Sequence, residues 1–140
     1  MKLINPPVLA LRRRSEELLA SAERERQHNV DSAALLLFYA AECSLKAVYM
    51  LQNNLKMTDE ARGRARSARS FGHDIHGLIH ALNVSRASIK AAPRIVVERT
   101  GQSGDPTILH EAWRYGEKIR DTSAVCEWLT SLIEWARNNR

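Results

Sequence analysis

The stretch that decides the fold is Ser32-Ala-Ala-Leu-Leu-Leu-Phe-Tyr-Ala-Ala-Glu-Cys-Ser-Leu-Lys-Ala-Val-Tyr-Met-Leu51. It holds no Pro and no Gly, and Asn29 or Asp31 just upstream can cap it as a helix. Leu35, Leu36, Leu37, Phe38, Ala41, Leu45, Val48 and Leu51 place apolar groups around almost its whole circumference. A helix that is apolar all round is buried among other helices, so this one is predicted to be the central element of a bundle. Only Glu42 and Lys46 interrupt the apolar wrap. They are four residues apart with the acid first, the favourable order for a helical ion pair.

Working outward, an N-terminal helix is predicted to run to about residue 27, with Pro6 and Pro7 in its first turn and Leu11, Leu18, Leu19 and Ala22 on its buried side. Residues 53 to 72 are polar and read as a loop with a helical turn from about Thr58 to Arg66. A third helix is expected to start near His73, because Ile75, Leu78, Ile79 and Leu82 form one stripe at helical spacing. Residues 91 to 107, with Pro93, Gly101, Gly104 and Pro106, read as a long connection with a short extended piece at Ile95-Val-Val. A last helix is expected from about Ile108 to Arg137, striped by Val125, Trp128, Leu129, Leu132 and Ala136. The result is an all-α, up-and-down bundle of four main helices with one or two short extra helical turns, one domain over residues 1–140.

Composition narrows the function classes. Apolar residues make up 44% and charged residues 26% of the 140 residues, ordinary for a globular domain. The net charge is +5, and 16 of the 21 cations are Arg. Arginine's planar fork favours phosphate and carboxylate, which raises the expectation of an anionic partner such as nucleic acid. Cys43 and Cys126 fall in apolar helical segments with no metal-like spacing and read as reduced thiols of a cytoplasmic protein. No signal-peptide pattern opens the chain, and no apolar run is expected to span a membrane.

The densest chemistry lies at Arg62-Gly-Arg-Ala-Arg-Ser-Ala-Arg-Ser-Phe-Gly-His73-Asp-Ile-His76-Gly-Leu-Ile-His80, with four arginines in eight residues. On a helix starting at His73, His73, His76 and His80 would share one face pointing away from the core. Three readings stand side by side. Arg69 with His76, or Arg66 with His73, could hold a phosphodiester and move its proton. His76 and His80 at i, i+4 could bind a metal, but no third ligand is evident and Gly77 stands where a zincin has Glu. The histidines could equally be a solvated surface. Trp113-Arg114-Tyr115 adds aromatics beside a cation, suited to stacking on bases or to ordinary packing.

These residues resemble a known family. Ala41-Glu42-Cys-Ser-Leu45-Lys46 resembles the Ala-Glu-x-x-Leu-Lys signature of HEPN domains. His73-Asp74-Ile75 resembles their His-Asp-Leu element, and Arg114-Tyr115 resembles the Arg-Tyr pair before their last helix. The three elements occur in the family's order over about residues 10 to 137. The resemblance implies a prokaryotic helical domain that commonly dimerises, often within toxin–antitoxin or phage-defence modules and often paired with a nucleotidyltransferase. Active members are metal-independent endoribonucleases with an Arg and a His four to six residues apart. Others are non-catalytic RNA-binding, partner or antitoxin-like interaction modules. The expected catalytic residues are therefore Arg69 with His73 or His76. The expected RNA contacts are Arg62, Arg64, Arg66 and Arg114. No cofactor or metal is expected, and the expected partners are a second copy of the chain, RNA and a nucleotidyltransferase.

Overall fold

The computed structural model describes residues 4–140. It is mostly helical, with five α-helices and one two-stranded hairpin among the described residues. α1 (Val8–Glu25) and α2 (Val30–Gln52) form an antiparallel pair joined by a short turn. Asn29 caps α2, its side-chain oxygen accepting from the Ser32 N–H at 3.0 Å. The pair packs closely because small residues line the seam. The Ser15 hydroxyl donates to the Ala40 carbonyl at 2.9 Å and also pairs with the Ser44 hydroxyl.

α2 is the central element, as its apolar wrap requires. Phe38, Ala40, Ala41, Leu45 and Met50 are fully buried, and the helix touches α1, α3, α4 and α5. By length (23 residues) and mean hydropathy (1.5), α2 would reach across a bilayer, contrary to the expectation that no run could. Those apolar faces are spent on the other helices, with 67% of that apolar window buried.

The N-terminal segment differs from expectation by about one residue. Pro7 is the extended N-cap of α1 rather than part of its first turn. Residues 4–7 run beside 57–59 instead, with Pro7 bridged to Met57 and the Thr58 N–H donating to the Pro6 carbonyl at 3.1 Å. The stretch from Thr58 to Arg66 forms turns, and the short helical piece falls later, as a 3-10 turn at Ala68–Phe71.

α3 (Ile75–Ala81) begins two residues later than expected. Asp74 caps it, accepting from the Gly77 N–H at 2.9 Å. A Cβ at position 77 would lie 2.4 Å from the Asp74 carboxylate, so with glycine there the capping carboxylate sits close over the turn, and any side chain would make it shift. His73 therefore precedes α3 and does not share a helical face with His76 and His80.

β1 (Ile95–Val96) pairs antiparallel with β2 (Ser103–Gly104), in the region read as extended. The single last helix expected over 108–137 is two helices, α4 (Ile108–Arg114) and α5 (Thr122–Asn138). Gly116, at φ +81°, ends α4. The Glu117 N–H donates to the Ala112 carbonyl at 2.8 Å and the Gly116 N–H to that of Trp113 at 3.3 Å, the bonds of a Schellman stop. The chain then lies along the hairpin, with Val97 bridged to Ile119, before Asp121 caps α5. α5 runs parallel to α2. Its first turns face Val30 and Leu37 across one cleft, and Ala136 faces Ala47 and Val48 across another.

Candidate functional site

Buried charge, not exposed charge, marks the chemistry. Glu42 lies in the middle of α2 with only 9% of its side chain exposed. An uncompensated carboxylate there would be costly, so both of its oxygens are occupied. Oε1 accepts from Lys46 Nζ at 2.9 Å, and Oε2 accepts from His73 Nδ1 at 3.0 Å. A carboxylate can only accept, so the proton of that bond is on Nδ1. When the ring is neutral, that tautomer puts the lone pair on Nε2, on a side chain 43% exposed.

Gly72, at φ +56°, ends the 3-10 turn and swings the chain so that His73 reaches back to α2 before α3 starts. The expected outward face of three histidines does not form. His73 is turned to Glu42, and His76 and His80 are left together on α3.

A further histidine joins His73. His110, on α4, lies against it with ring centroids 4.0 Å apart and stacks on Phe38 at 5.8 Å. The Tyr39 ring lies tilted to that of His73, with centroids 6.0 Å apart. Burial lowers the His110 pKa below its usual 6.5, and His73 and Arg114 lower it further, against the opposing pull of Glu42 and Glu111. Nδ1 of His110 is buried with no hydrogen-bond partner. One turn further along the same face, Arg114 is exposed and leans over the Tyr115 ring, its guanidinium carbon 5.0 Å from the centroid. Buried Leu109 and Trp113 hold α4 in place. The cluster thus offers an imidazole oriented by a carboxylate, a second imidazole favouring its neutral form, and an exposed arginine one helical turn from it.

The arginine run behaves differently. Arg62 and Arg64 are exposed. Arg66 stacks its guanidinium on Phe71, 3.7 Å from the ring centroid, and its carbonyl accepts from the Tyr49 hydroxyl at 2.6 Å. Arg69 spends its guanidinium on the Ile4 carbonyl, which ties down the N-terminal strap. No hydrogen bond joins Arg69 to His73 or His76 among the described residues. The structure therefore brings His73 together with Glu42, Lys46 and His110, and leaves Arg69 and His76 with other surroundings. Among the described residues, no group of three or more His, Cys, Asp or Glu is arranged to hold a metal.

His110 was absent from the sequence expectations although a signal existed. It lies four residues before Arg114, one helical turn away. The histidine of this pair precedes the arginine, and no histidine follows Arg114 in the sequence.

Comparison of the chain with protein-family models, with curated proteins and with solved structures finds no match.

Proposed function

We propose that this chain is a HEPN-like domain, an up-and-down helical bundle that works as a homodimer, binds RNA and cleaves it as a metal-independent endoribonuclease. One observation carries the reading: the buried Glu42 carboxylate holds the half-exposed His73 ring by Nδ1, which leaves Nε2 of the neutral ring to act as the base. In the step, His73 Nε2 takes the proton of a ribose 2′-OH. The 2′-oxygen forms a bond to phosphorus, the bond from phosphorus to the 5′-oxygen breaks, and that oxygen leaves with a proton from water. The products are a 2′,3′-cyclic phosphate and a 5′-hydroxyl. Arg114 is the nearby cation for the phosphate, with Arg62 and Arg64 as outlying contacts along the RNA. The resemblance at Glu42, Lys46, His73, Asp74 and Arg114-Tyr115 supports the same reading.

A second reading is favoured by one distance. The His73 and His110 rings are 4.0 Å apart, leaving no gap for a phosphate between them. A phosphate must then approach from the outer edge, or the face serves as a non-catalytic interaction surface, for RNA or for a partner such as a nucleotidyltransferase. End-labelled RNA incubated with the wild type, Glu42→Gln and His73→Ala separates the two. Cleavage by the wild type to a cyclic phosphate, lost in both variants, supports the nuclease. RNA binding that weakens steeply with salt, without cleavage in any of the three, supports the interaction module.

A further inference from the structure

The cleavage step through His73 leaves His110 without a task. Its ring is nevertheless held between two others. It stacks on Phe38 with centroids 5.8 Å and planes 30° apart, and it lies against His73 at 4.0 Å and 34°. Buried Leu109 precedes it on α4 and buried Trp113 follows it about one turn later, so the backbone that carries the ring is anchored in the core.

The two ring nitrogens of His110 are not equivalent. Nδ1 is buried, with no hydrogen-bond partner among the described residues. The residue as a whole is only half-buried, so the ring meets solvent through its other edge, which carries Nε2. A proton on Nδ1 would be a buried donor with nothing to receive it, and orphaned buried donors are rarer than orphaned acceptors. The proton of the neutral ring therefore sits on Nε2. The imidazolium form needs protons on both nitrogens and meets the same obstacle. Burial, His73 and Arg114 all act in that direction, lowering the His110 pKa. The two stacked histidines are thus opposite tautomers: Glu42 keeps the His73 proton on Nδ1, and the buried edge of His110 keeps its proton on Nε2.

We infer that His110 is a second catalytic residue, a hydrogen-bond donor whose Nε2–H binds a non-bridging oxygen of the phosphate as charge builds there. The inference rests on the nuclease reading of His73. A neutral imidazole N–H is too weak an acid to protonate the leaving oxygen near neutral pH. It donates a hydrogen bond and keeps its proton, so no bond is made or broken at His110. Rings 4.0 Å apart leave no room for a phosphate between them, but a phosphate at their exposed edges can meet both. His73 then supplies the base for the 2′-OH and His110 the donor for the phosphoryl oxygen. Because Phe38 and His73 hold the ring, the donor is oriented before the substrate arrives, which is when such a bond favours the transition state most.

Two measurements test the role. A long-range nitrogen–proton correlation spectrum reads the tautomers of the five histidines, and the signals missing from His110→Phe are those of His110. Near neutral pH its Nδ1 should be unprotonated and its Nε2 protonated. A protonated Nδ1 would overturn the assignment whether or not RNA is cleaved. The second measurement is cleavage kinetics. His110→Gln places an amide N–H close to the position of Nε2, His110→Asn places one only near Nδ1, and His110→Phe places none. The Gln variant should keep most of the wild-type rate, whereas the Asn and Phe variants should each lose about 10²-fold in kcat with little change in KM. Full kcat in His110→Phe, or equal losses in His110→Gln and His110→Phe, would overturn the role and leave His73 as the base. No cleavage by the wild type would overturn the nuclease reading itself, and the catalytic role of His110 with it. If His110→Phe does not fold, the contrast between the Gln and Asn variants decides.

Discussion

Two regions hold most of the charge and aromatic chemistry around His73, and they use it in opposite ways. The run from Arg62 to Arg69 is dense in charge, but its inner members do structural work: Arg66 covers Phe71 and Arg69 ties down Ile4. The cluster around Glu42 has fewer charges, but they are desolvated and mutually oriented, with Lys46 and His73 on the two carboxylate oxygens. Exposed cations cost little to place and signify little by themselves. A buried carboxylate must be partnered, so its partners are fixed in position.

The largest difference should appear in stability. Glu42→Ala leaves Lys46, 12% exposed, as a nearly buried charge without its partner, and should cost about 3–5 kcal/mol. Arg62→Ala and Arg64→Ala touch only solvent and should stay within about 0.5 kcal/mol of wild type. Urea unfolding midpoints measure both. Equal midpoints for Glu42→Ala and Arg64→Ala would erase the contrast.

Arg69→Ala sharpens the comparison from the other side. It should loosen the N-terminal strap for about 1 kcal/mol while leaving RNA cleavage intact. Faster amide exchange at Thr58 and Asp59, whose N–H groups bond to Pro6 and Asn5, would show the loosening. Loss of cleavage in this variant would return Arg69 to the catalytic site.

A subtler effect concerns pH. The folded state lowers the His110 pKa below 6.5, so the unfolded chain binds that proton more readily. The contribution of His110 to stability is therefore level above about pH 6.5 and is lost as the pH falls below it. His110→Phe keeps an aromatic ring against Phe38 and removes the titration, so its unfolding midpoint should fall less between pH 7 and 5 than that of the wild type. A steeper fall in the variant would contradict the assignment. The smallest effect is chemical. Burial and the neighbouring Glu42 push the Cys43 thiol up to about 11, so its alkylation at pH 8 should be far slower than that of an exposed thiol. Mass mapping of the labelled chain tests this.

Much of the fold could be read from residue patterns because the patterns were strong. The apolar wrap of α2, the Asn29 cap and the Ile75–Leu82 stripe each have one cheap physical solution. What escaped was set by local backbone geometry. Gly116 breaks one expected helix into α4 and α5, and only the strand pairing of Val97 with Ile119 gives that break a purpose. The two-residue delay in the start of α3 had greater consequences for the site. With Asp74 as cap, His73 falls outside the helix and turns inward to Glu42, and a regular helical projection cannot show that. The spacing of His110 from Arg114 is legible in the sequence, but its place beside His73 is not, because that depends on the packing of α4 against Phe38 of α2.

The most direct measurement is the rate of RNA cleavage by His73→Ala and Arg69→Ala, side by side with the wild type and with matched folded fractions. If the Glu42–His73 dyad is the working centre, His73→Ala should lose about 10²–10⁴-fold in rate and Arg69→Ala should cleave as the wild type does. Full activity in His73→Ala, or its loss in Arg69→Ala alone, would contradict it.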